Sequence, residues 1–336
     1  YNYVMDGPVR ALNQLVAFLE RQGIEVLVFA PTTKKPAFQH NGTLISVPSF
    51  AIPGRQEYRM ALGMPARIRK TLEDFKPDLV HLSAPDFLGS AALDWANVHG
   101  VPAVSSFHTR FDTYPRYYGM PWAEKYLTNH MRQFYHRCEH VYVPSQSMID
   151  VLKEQGMARS NDDLRIWSRG VDTSVFNPQR RDMAWRRSLG IQDDEVVINF
   201  VGRLVLEKGL GVFADVIDSL NARGLPFKAL IVGEGPERQR FQERLKDAVF
   251  TGFLSGEELA RAYASSDIFF NASITETFGN VTLEAMASRI PSVCANATGS
   301  RTLVADGTSG YLVDYNDLNG FADKLTVANY HDVLFH

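Results

Sequence analysis

Along this chain, short unbroken apolar runs alternate with longer stretches whose apolar residues recur at helical spacing. Runs such as VVINFV at Val196–Val201 and ALIV at Ala229–Val232 read as strands buried on both faces of a parallel sheet. A first series of strand candidates is Glu25–Ala30, Leu44–Val47, Leu79–Ser83, Ala103–Ser106 and His140–Val143. A second is Val196–Val201, Ala229–Val232, Val249–Thr251, Ile268–Asn271 and Pro291–Cys294. Helical spacing appears between them, for example over Val9–Gln22, Pro65–Phe75, Ser145–Gln155, Leu210–Ala222 and Gly256–Ala264. This alternation predicts an α/β protein with parallel sheets, in two doubly wound domains. The changeover falls near Arg169-Gly170-Val171-Asp172 and Phe176-Asn177-Pro178, which gives spans 1–170 and 171–326.

Both ends break the pattern. Tyr1 to Gly7 reads as a loop leading into a helix at Pro8, so a first parallel strand is expected upstream of this numbering. Ala322–Thr326 begins a helix that passes into residues 327–336 without a long closing region. That last segment is left unplaced, and a missing stretch is expected near residue 326.

Composition narrows the class without changing the fold. A length of 336 residues suits two domains, and a hydrophobic content of 45% is that of a globular protein. Two cysteines far apart, Cys138 and Cys294, give no disulfide framework and fit a reducing compartment. No apolar run approaches the length of a membrane-spanning helix; no signal peptide is expected within this numbering, whose first residue is not the expected native start. The expected location is therefore the cytoplasm. Charge is uneven: residues 1–170 carry 19 Lys and Arg against 16 Asp and Glu, and the remainder carries 16 against 22. A mildly basic first half is compatible with an anionic membrane surface and far too weak to argue for nucleic acid.

The chemistry concentrates in TETFGNVTLEAMAS, Thr275 to Ser288. Thr275, Thr277, Gly279 and Asn280 are loop and cap types, whereas Leu283 to Ala287 are strong helix formers. The stretch predicts a strand ending near Asn271, a tight loop holding Glu276, and a helix from about Gly279 with Glu284 on its second turn. Such a loop aims backbone N–H groups and a positive dipole end at one spot, which suits an anion. Carboxylates on either side of that spot suit sugar hydroxyls. The order hydroxyls, phosphate, hydroxyls describes a nucleotide sugar.

Other strand-to-helix loops supply candidates. Gly202-Arg203-Leu204 ends a strand and Lys208-Gly209 follows, placing two cations where a pyrophosphate can sit; the alternative is a generic basic loop. Gly233-Glu234-Gly235-Pro236, with Thr251-Gly252-Phe253, suits the edge of a base pocket. It lacks the third glycine of a dinucleotide fingerprint, so a dehydrogenase is disfavoured. Asp6-Gly7-Pro8-Val9 is a tight turn into a helix, either a plain turn or part of a site at the sheet's carboxyl edge. His108 follows a strand within SSFHTRFDTYPRYYGMPW, whose Arg110, Tyr114, Arg116, Tyr117, Tyr118 and Trp122 line an acceptor pocket, rest at a lipid interface, or form a packed surface loop. No Asp-x-Asp, metal-spaced His/Cys cluster or Gly-x-Ser-x-Gly turn occurs, so no metal ligands are named and no cofactor beyond the donor is expected.

Taken in order, GRLVLEKG, IVGEGPER, VFTGFLSGEELARAYASSDIFF, ETFGNVTLEAMAS and DGTSGYLV resemble glycosyltransferase family 4, the retaining enzymes of GT-B architecture, over Asp6 to about Ala322. SSFHTRFDTYPRYYG and LRIWSRGVDTSVFNP resemble the branch that glycosylates membrane lipids, which includes sulfoquinovosyl-diacylglycerol synthases and lipid α-mannosyltransferases. The resemblance implies two Rossmann-like domains facing each other across a cleft, the first on the acceptor side and the second binding the nucleotide sugar. It implies transfer of a hexose from a UDP-sugar or GDP-mannose to a hydroxyl acceptor, a lipid or glycan, without an obligatory metal. The enzyme would be cytoplasmic, and peripheral on the inner face of the membrane if its acceptor is a lipid.

Residue by residue, the resemblance assigns Glu276 to the donor sugar hydroxyls and the amides of Phe278, Gly279, Asn280 and Val281 to sugar and diphosphate. Glu284 meets the ribose, Arg203 and Lys208 the leaving diphosphate, His108 the sugar near its reacting carbon. Gly7 lets the N-terminal loop approach; Gly202, Gly233, Glu234, Thr251 and Gly252 border the nucleotide. Departures from the family pattern are Ala297-Thr298-Gly299-Ser300-Arg301 where paired glycines are usual, Arg289 at a usual glycine, and Asp6-Gly7 for Gly-Gly. These bear on the donor sugar more than on the reaction. Competing readings are a nucleotide-sugar epimerase or hydrolase on the same fold, and a non-catalytic nucleotide-sugar-binding protein.

Overall fold

A computed structural model of the chain describes residues 1–4, 6–52 and 55–330. It divides into two compact units. The first comprises Tyr1–His108, Trp122–Pro144 and Ile149–Trp167. The second takes Thr109–Pro121, Ser145–Met148 and the stretch from Ser168 on. Two pieces within the expected span 1–170 thus cluster with the later residues.

In chain order up to residue 167, the elements are α1 Gly7–Arg21, β1 Leu27–Ala30, β2 Thr43–Ser46, β3 Ser49–Ile52, β4 Arg55–Ala61, α2 Ala66–Phe75, β5 Val80–Leu82, α3 Phe87–His99, β6 Ala103–Ser106, α4 Ala123–Tyr135, β7 His140–Val143, α5 Gln146–Glu154 and β8 Leu164–Ile166. Strands β5-β6-β7-β8 form a parallel sheet in that order, and β1 pairs parallel with β2. One pair departs from the all-parallel expectation: β3 and β4 run antiparallel. Pro53 and Gly54, which separate the two strands in sequence, lie outside the described residues. β6 (AVSS) is buried throughout, as a strand covered on both faces must be.

Beyond Ser168 come α6 Met183–Ser188, β9 Val196–Val201, α7 Leu210–Ala222, β10 Phe227–Val232, α8 Arg238–Arg244, β11 Val249–Gly252, α9 Gly256–Ala264, β12 Ile268–Asn271, α10 Asn280–Ala287, β13 Ser292–Ala295, α11 Thr298–Leu303, β14 Gly310–Val313 and α12 Leu318–Tyr330. The strands make a six-stranded parallel sheet in the order β11-β10-β9-β12-β13-β14. Numbered from the first, this is 3-2-1-4-5-6, the order of dinucleotide-binding folds, and its reversal lies between β9 and β12. β14 was not among the expected strands; GYLV is short and opens on a glycine. α12 starts before Ala322 because Asp317 Oδ1 accepts from Gly320 N at 2.8 Å, a side-chain cap. Residues 327–330 continue that helix, and 331–336 lie outside the described residues.

Alternation along β9 builds two cores. Ile198 and Phe200 point to one face and pack with Phe213, Phe241, Phe270 and Phe321. Val197 and Val201 point to the other, with Leu230, Tyr263, Phe269 and Ala285. Phe213 and Phe270 stack at 5.0 Å between centroids. Each such ring contributes roughly 2–3 kcal/mol by leaving water. The sheet is therefore rigid at its centre, where its order reverses and the loops of β9 and β12 emerge. Cys138 and Cys294 are both free and buried.

Candidate active site

Two loops meet at the reversal point. β9 ends at Val201, and Gly202-Arg203 lead into a single 3₁₀ turn, Leu206–Lys208. β12 ends at Asn271, and its loop carries Glu276 to the start of α10. Lys208 Nζ donates to Glu276 Oε1 at 2.5 Å, with side chains 26% and 17% exposed. This ion pair joins residues 68 positions apart in sequence. Two further bonds fix the loops to each other: Thr275 Oγ1 donates to the Glu207 carbonyl at 2.9 Å, and Ser273 Oγ does so at 3.4 Å. Gly209 then turns the chain into α7 with φ 72°, and a Cβ there would stand 2.6 Å from the Ala272 carbonyl oxygen. Only glycine lets the Lys208 turn lie this close to the end of β12.

α10 carries the second acid. Gly279 caps it with φ 93°, so the amides of Asn280 and Val281 fall in its first turn, where N–H groups have no partner within the helix. Phe278 is buried beneath. Glu284 lies one turn along, 7% exposed, and its Oε2 accepts from the Tyr263 hydroxyl at 3.1 Å. Thus the Glu276 loop, the dipole end of α10 and Glu284 follow one another along one segment, as the sequence predicted.

The adjacent strand ends form a second wall. Gly202 N donates to the Val232 carbonyl at 3.0 Å, Leu204 N to the Glu234 carbonyl at 2.9 Å, and Gly233 N to the Gly252 carbonyl at 2.8 Å. A side chain at Gly233 would overlap the Gly202 carbonyl, so these loops stack backbone against backbone. Arg203 stands at intermediate exposure in this stack. Thr251 Oγ1 donates to the Gly252 carbonyl at 3.1 Å. Glu234 pairs with Arg238, so its carboxylate faces that arginine. Beside the pair an open depression of about 530 Å³ is lined by Gly235, Pro236, Arg238, Gln239, Gln242 and Glu243.

Gly7 and His108 belong to the first unit. Gly7 opens α1, where Asp6 Oδ1 accepts from Val9 N at 3.0 Å and Asp6 Oδ2 accepts from the Tyr58 hydroxyl at 3.1 Å. His108 follows β6, is 9% exposed, and meets the Trp167 ring edge-on at 5.8 Å. The same indole takes His81 at 6.2 Å, and His81 is hydrogen-bonded to Ser106. Two imidazoles, one from within β5 and one just past β6, therefore contact the indole that follows β8.

Several participants escaped sequence reasoning. Trp167 and His81 lie far from His108 in sequence and share no motif with it. Tyr263 sits on the buried face of the amphipathic α9, where its position announces only burial. Gly299 lies against the Glu276 backbone, since a Cβ there would be 2.8 Å from the Glu276 carbonyl. The departure from paired glycines in this segment had marked the place without its reason. Among the described residues, no group of three or more His, Cys, Asp or Glu side chains is arranged to hold a metal.

Comparison with known proteins fits this arrangement. Residues 5–175 match the model of Glycosyltransferase Family 4, and residues 195–328 that of Glycosyl transferases group 1. The chain is 33% identical over 328 residues to the sulfoquinovosyl transferase SQD2 of Arabidopsis thaliana, covering 96% of this chain and 63% of that one. It is 36% identical over 333 residues to a GDP-mannose-dependent alpha-mannosyltransferase of Mycolicibacterium smegmatis, covering 97% and 85%. The solved sucrose-phosphate synthase of Thermosynechococcus elongatus shares the fold at a TM-score of 0.78 and 19% identity, covering 97% of this chain and 85% of that one. The protein is thus a glycosyltransferase of GT-B architecture, built from two Rossmann-like domains. More particularly, it belongs to glycosyltransferase family 4, as a hexosyltransferase, and the epimerase, hydrolase and non-catalytic readings are not favoured.

Proposed function

We propose that this enzyme moves a hexose from a nucleoside-diphosphate sugar, a UDP-sugar or GDP-mannose, to a hydroxyl of a membrane glycolipid or lipid precursor, with retention at the anomeric carbon. The observation that carries the reading is the Lys208–Glu276 pair at the sheet's reversal point, beside the α10 N-terminus and Glu284. The ligand of such a fold binds at that point. A diphosphate there meets Lys208, Arg203 and the first-turn amides of α10. Its sugar hydroxyls meet Glu276, its ribose hydroxyls Glu284, and its base the Gly233–Glu234 and Thr251–Gly252 edge.

The step breaks the bond from the anomeric carbon to the phosphate oxygen and forms one to the acceptor oxygen on the same face. The acceptor's proton passes to the departing phosphate. Negative charge grows on that phosphate as the ring carbon becomes oxocarbenium-like, and preorganised cations and amides stabilise it. Protein cations meet this charge, so activity is expected to persist in EDTA.

A lipid acceptor is supported by the names of the relatives and by one surface. Trp122 is 77% exposed and Tyr126, one helical turn on, 73%. His130, another turn along α4, approaches the Pro85 carbonyl at 2.9 Å, and two residues later Phe87 is 63% exposed. Exposed aromatics of this kind suit the headgroup boundary of a bilayer. Among the described residues no helix is long and apolar enough to cross a membrane. The testing experiment is a panel of UDP- and GDP-sugars with diacylglycerol dispersed in anionic vesicles. Radiolabelled glycolipid from one donor supports the reading; donor turnover only to free sugar and nucleotide, across acceptors, removes it. Sedimentation with the same vesicles should fall on replacing Trp122 and Tyr126 by Ser.

A further inference from the structure

Tyr263 holds one end of the carboxylate assigned above to the ribose. It stands near the end of α9, has no exposed surface, and donates its hydroxyl to Glu284 Oε2 at 3.1 Å. Its ring lies edge-on to Phe176 at 5.9 Å and tilted against Phe269 at 6.0 Å. Phe269 belongs to the centre of β12, and Phe176 to the segment that precedes α6. A fully buried phenol packed against two further rings has little freedom to re-aim its hydroxyl. Glu284 is 7% exposed on the facing helix, so its own backbone is equally fixed.

A carboxylate accepts through two coplanar oxygens, and the torsion that sets its plane is soft. A hydrogen bond to Oε2 from a fixed donor removes that freedom. What remains is a carboxylate presented in one plane, which matches a vicinal diol offering two hydroxyls together. The ribose of a nucleotide has such a diol at its 2′ and 3′ positions. We propose that Tyr263 is a positioning residue that sets the plane of Glu284 for the ribose diol, with Phe176 and Phe269 as its brace. This rests on the reading of Glu284 as the ribose acceptor. Its consequence is selectivity: Tyr263 contributes to affinity for ribonucleotides and nothing for nucleotides that lack the diol.

Tyr263→Phe keeps the ring and its packing and removes only the donor. Calorimetric titration with UDP, GDP and their 2′,3′-dideoxy counterparts is expected to show ribonucleotide affinity falling about tenfold, the scale of one hydrogen bond to a charged group. Dideoxynucleotide affinity should stay unchanged, and donor KM should rise while kcat holds within about twofold. In a Glu284→Ala background, adding Tyr263→Phe should change ribonucleotide affinity no further. An equal loss for both nucleotide types, or no loss for either, overturns the proposal. If Tyr263→Phe does not fold, Phe176→Leu, which loosens the brace and keeps the hydroxyl, must show the same ribose-selective loss; unchanged discrimination in it overturns the proposal. The wild type separates the two failures. If it binds ribo- and dideoxynucleotides equally, the ribose assignment of Glu284 itself is wrong. If it discriminates and Tyr263→Phe discriminates just as well, only the role of Tyr263 falls.

Discussion

Lys208→Met is the most direct test of the chemistry, because it removes one charge and little volume. The structure sets the size of two separate effects. On stability, the lost partner is a single carboxylate at 2.5 Å, and both side chains keep some contact with water, 26% and 17% exposed. A partly solvated pair of this kind contributes about 1 kcal/mol. The loops stay joined through Thr275 and the Glu207 carbonyl at 2.9 Å, so the fold should survive with a melting point only a few degrees lower. On turnover, Lys208 is placed where charge develops on the departing phosphate. Removing one preorganised donor of this type costs about 2.7–4 kcal/mol, or roughly 10²- to 10³-fold in kcat. Arg203 and the α10 amides remain, so the lower end, about 10²-fold, is expected. Lys208→Arg should recover part of it, since charge returns with altered geometry. The assay is steady-state transfer of radiolabelled sugar at saturating donor, with nucleotide affinity measured independently by titration. A kcat within about threefold of wild type, in a variant that still binds nucleotide, would refute the assignment of Lys208 to the leaving group.

Three further outcomes follow from named contacts. Glu284→Ala should weaken UDP or GDP binding by at least about tenfold in calorimetry while kcat at saturating donor changes much less, the opposite split from Lys208→Met; unchanged nucleotide affinity would remove the ribose assignment. Arg289 holds a left-handed φ of 56° after α10, where glycine is usual, so Arg289→Gly should raise stability by about 0.5–1 kcal/mol in chemical denaturation despite the glycine's greater freedom when unfolded. Arg186 is 1% exposed and donates to Asp267 at 3.0 Å and to the Glu195 carbonyl at 2.5 Å; Asp267 keeps Arg181 and the Val197 amide, so Arg186→Ala should cost about 2–3 kcal/mol, chiefly from the Glu195 carbonyl left without its donor and the lost packing, and a loss under 1 kcal/mol in calorimetry would contradict it.

What the chain's own pattern determined was local and periodic. The runs at Val196–Val201 and Ile268–Asn271 became strands at those bounds, and Leu210–Ala222 became α7, because unbroken apolar runs and helical spacing each have one low-energy backbone. The Glu276 loop and the helix bearing Glu284 were legible too, since glycine and cap residues next to strong helix formers leave the backbone little choice. Arg289 at a usual glycine was visible as a departure, and its left-handed φ gives the reason. Strand order was not legible: pairing β9 with β12 rather than with β11 depends on which hydrophobic faces are covered by α7, α9 and α10, and no local pattern carries that. From this order alone come the 2.5 Å approach of Lys208 to Glu276 and the grip of Tyr263 on Glu284. These contacts join residues 68 and 21 positions apart. Period and propensity act within a few turns, whereas a site is assembled by the packing that brings distant loops to the same strand ends.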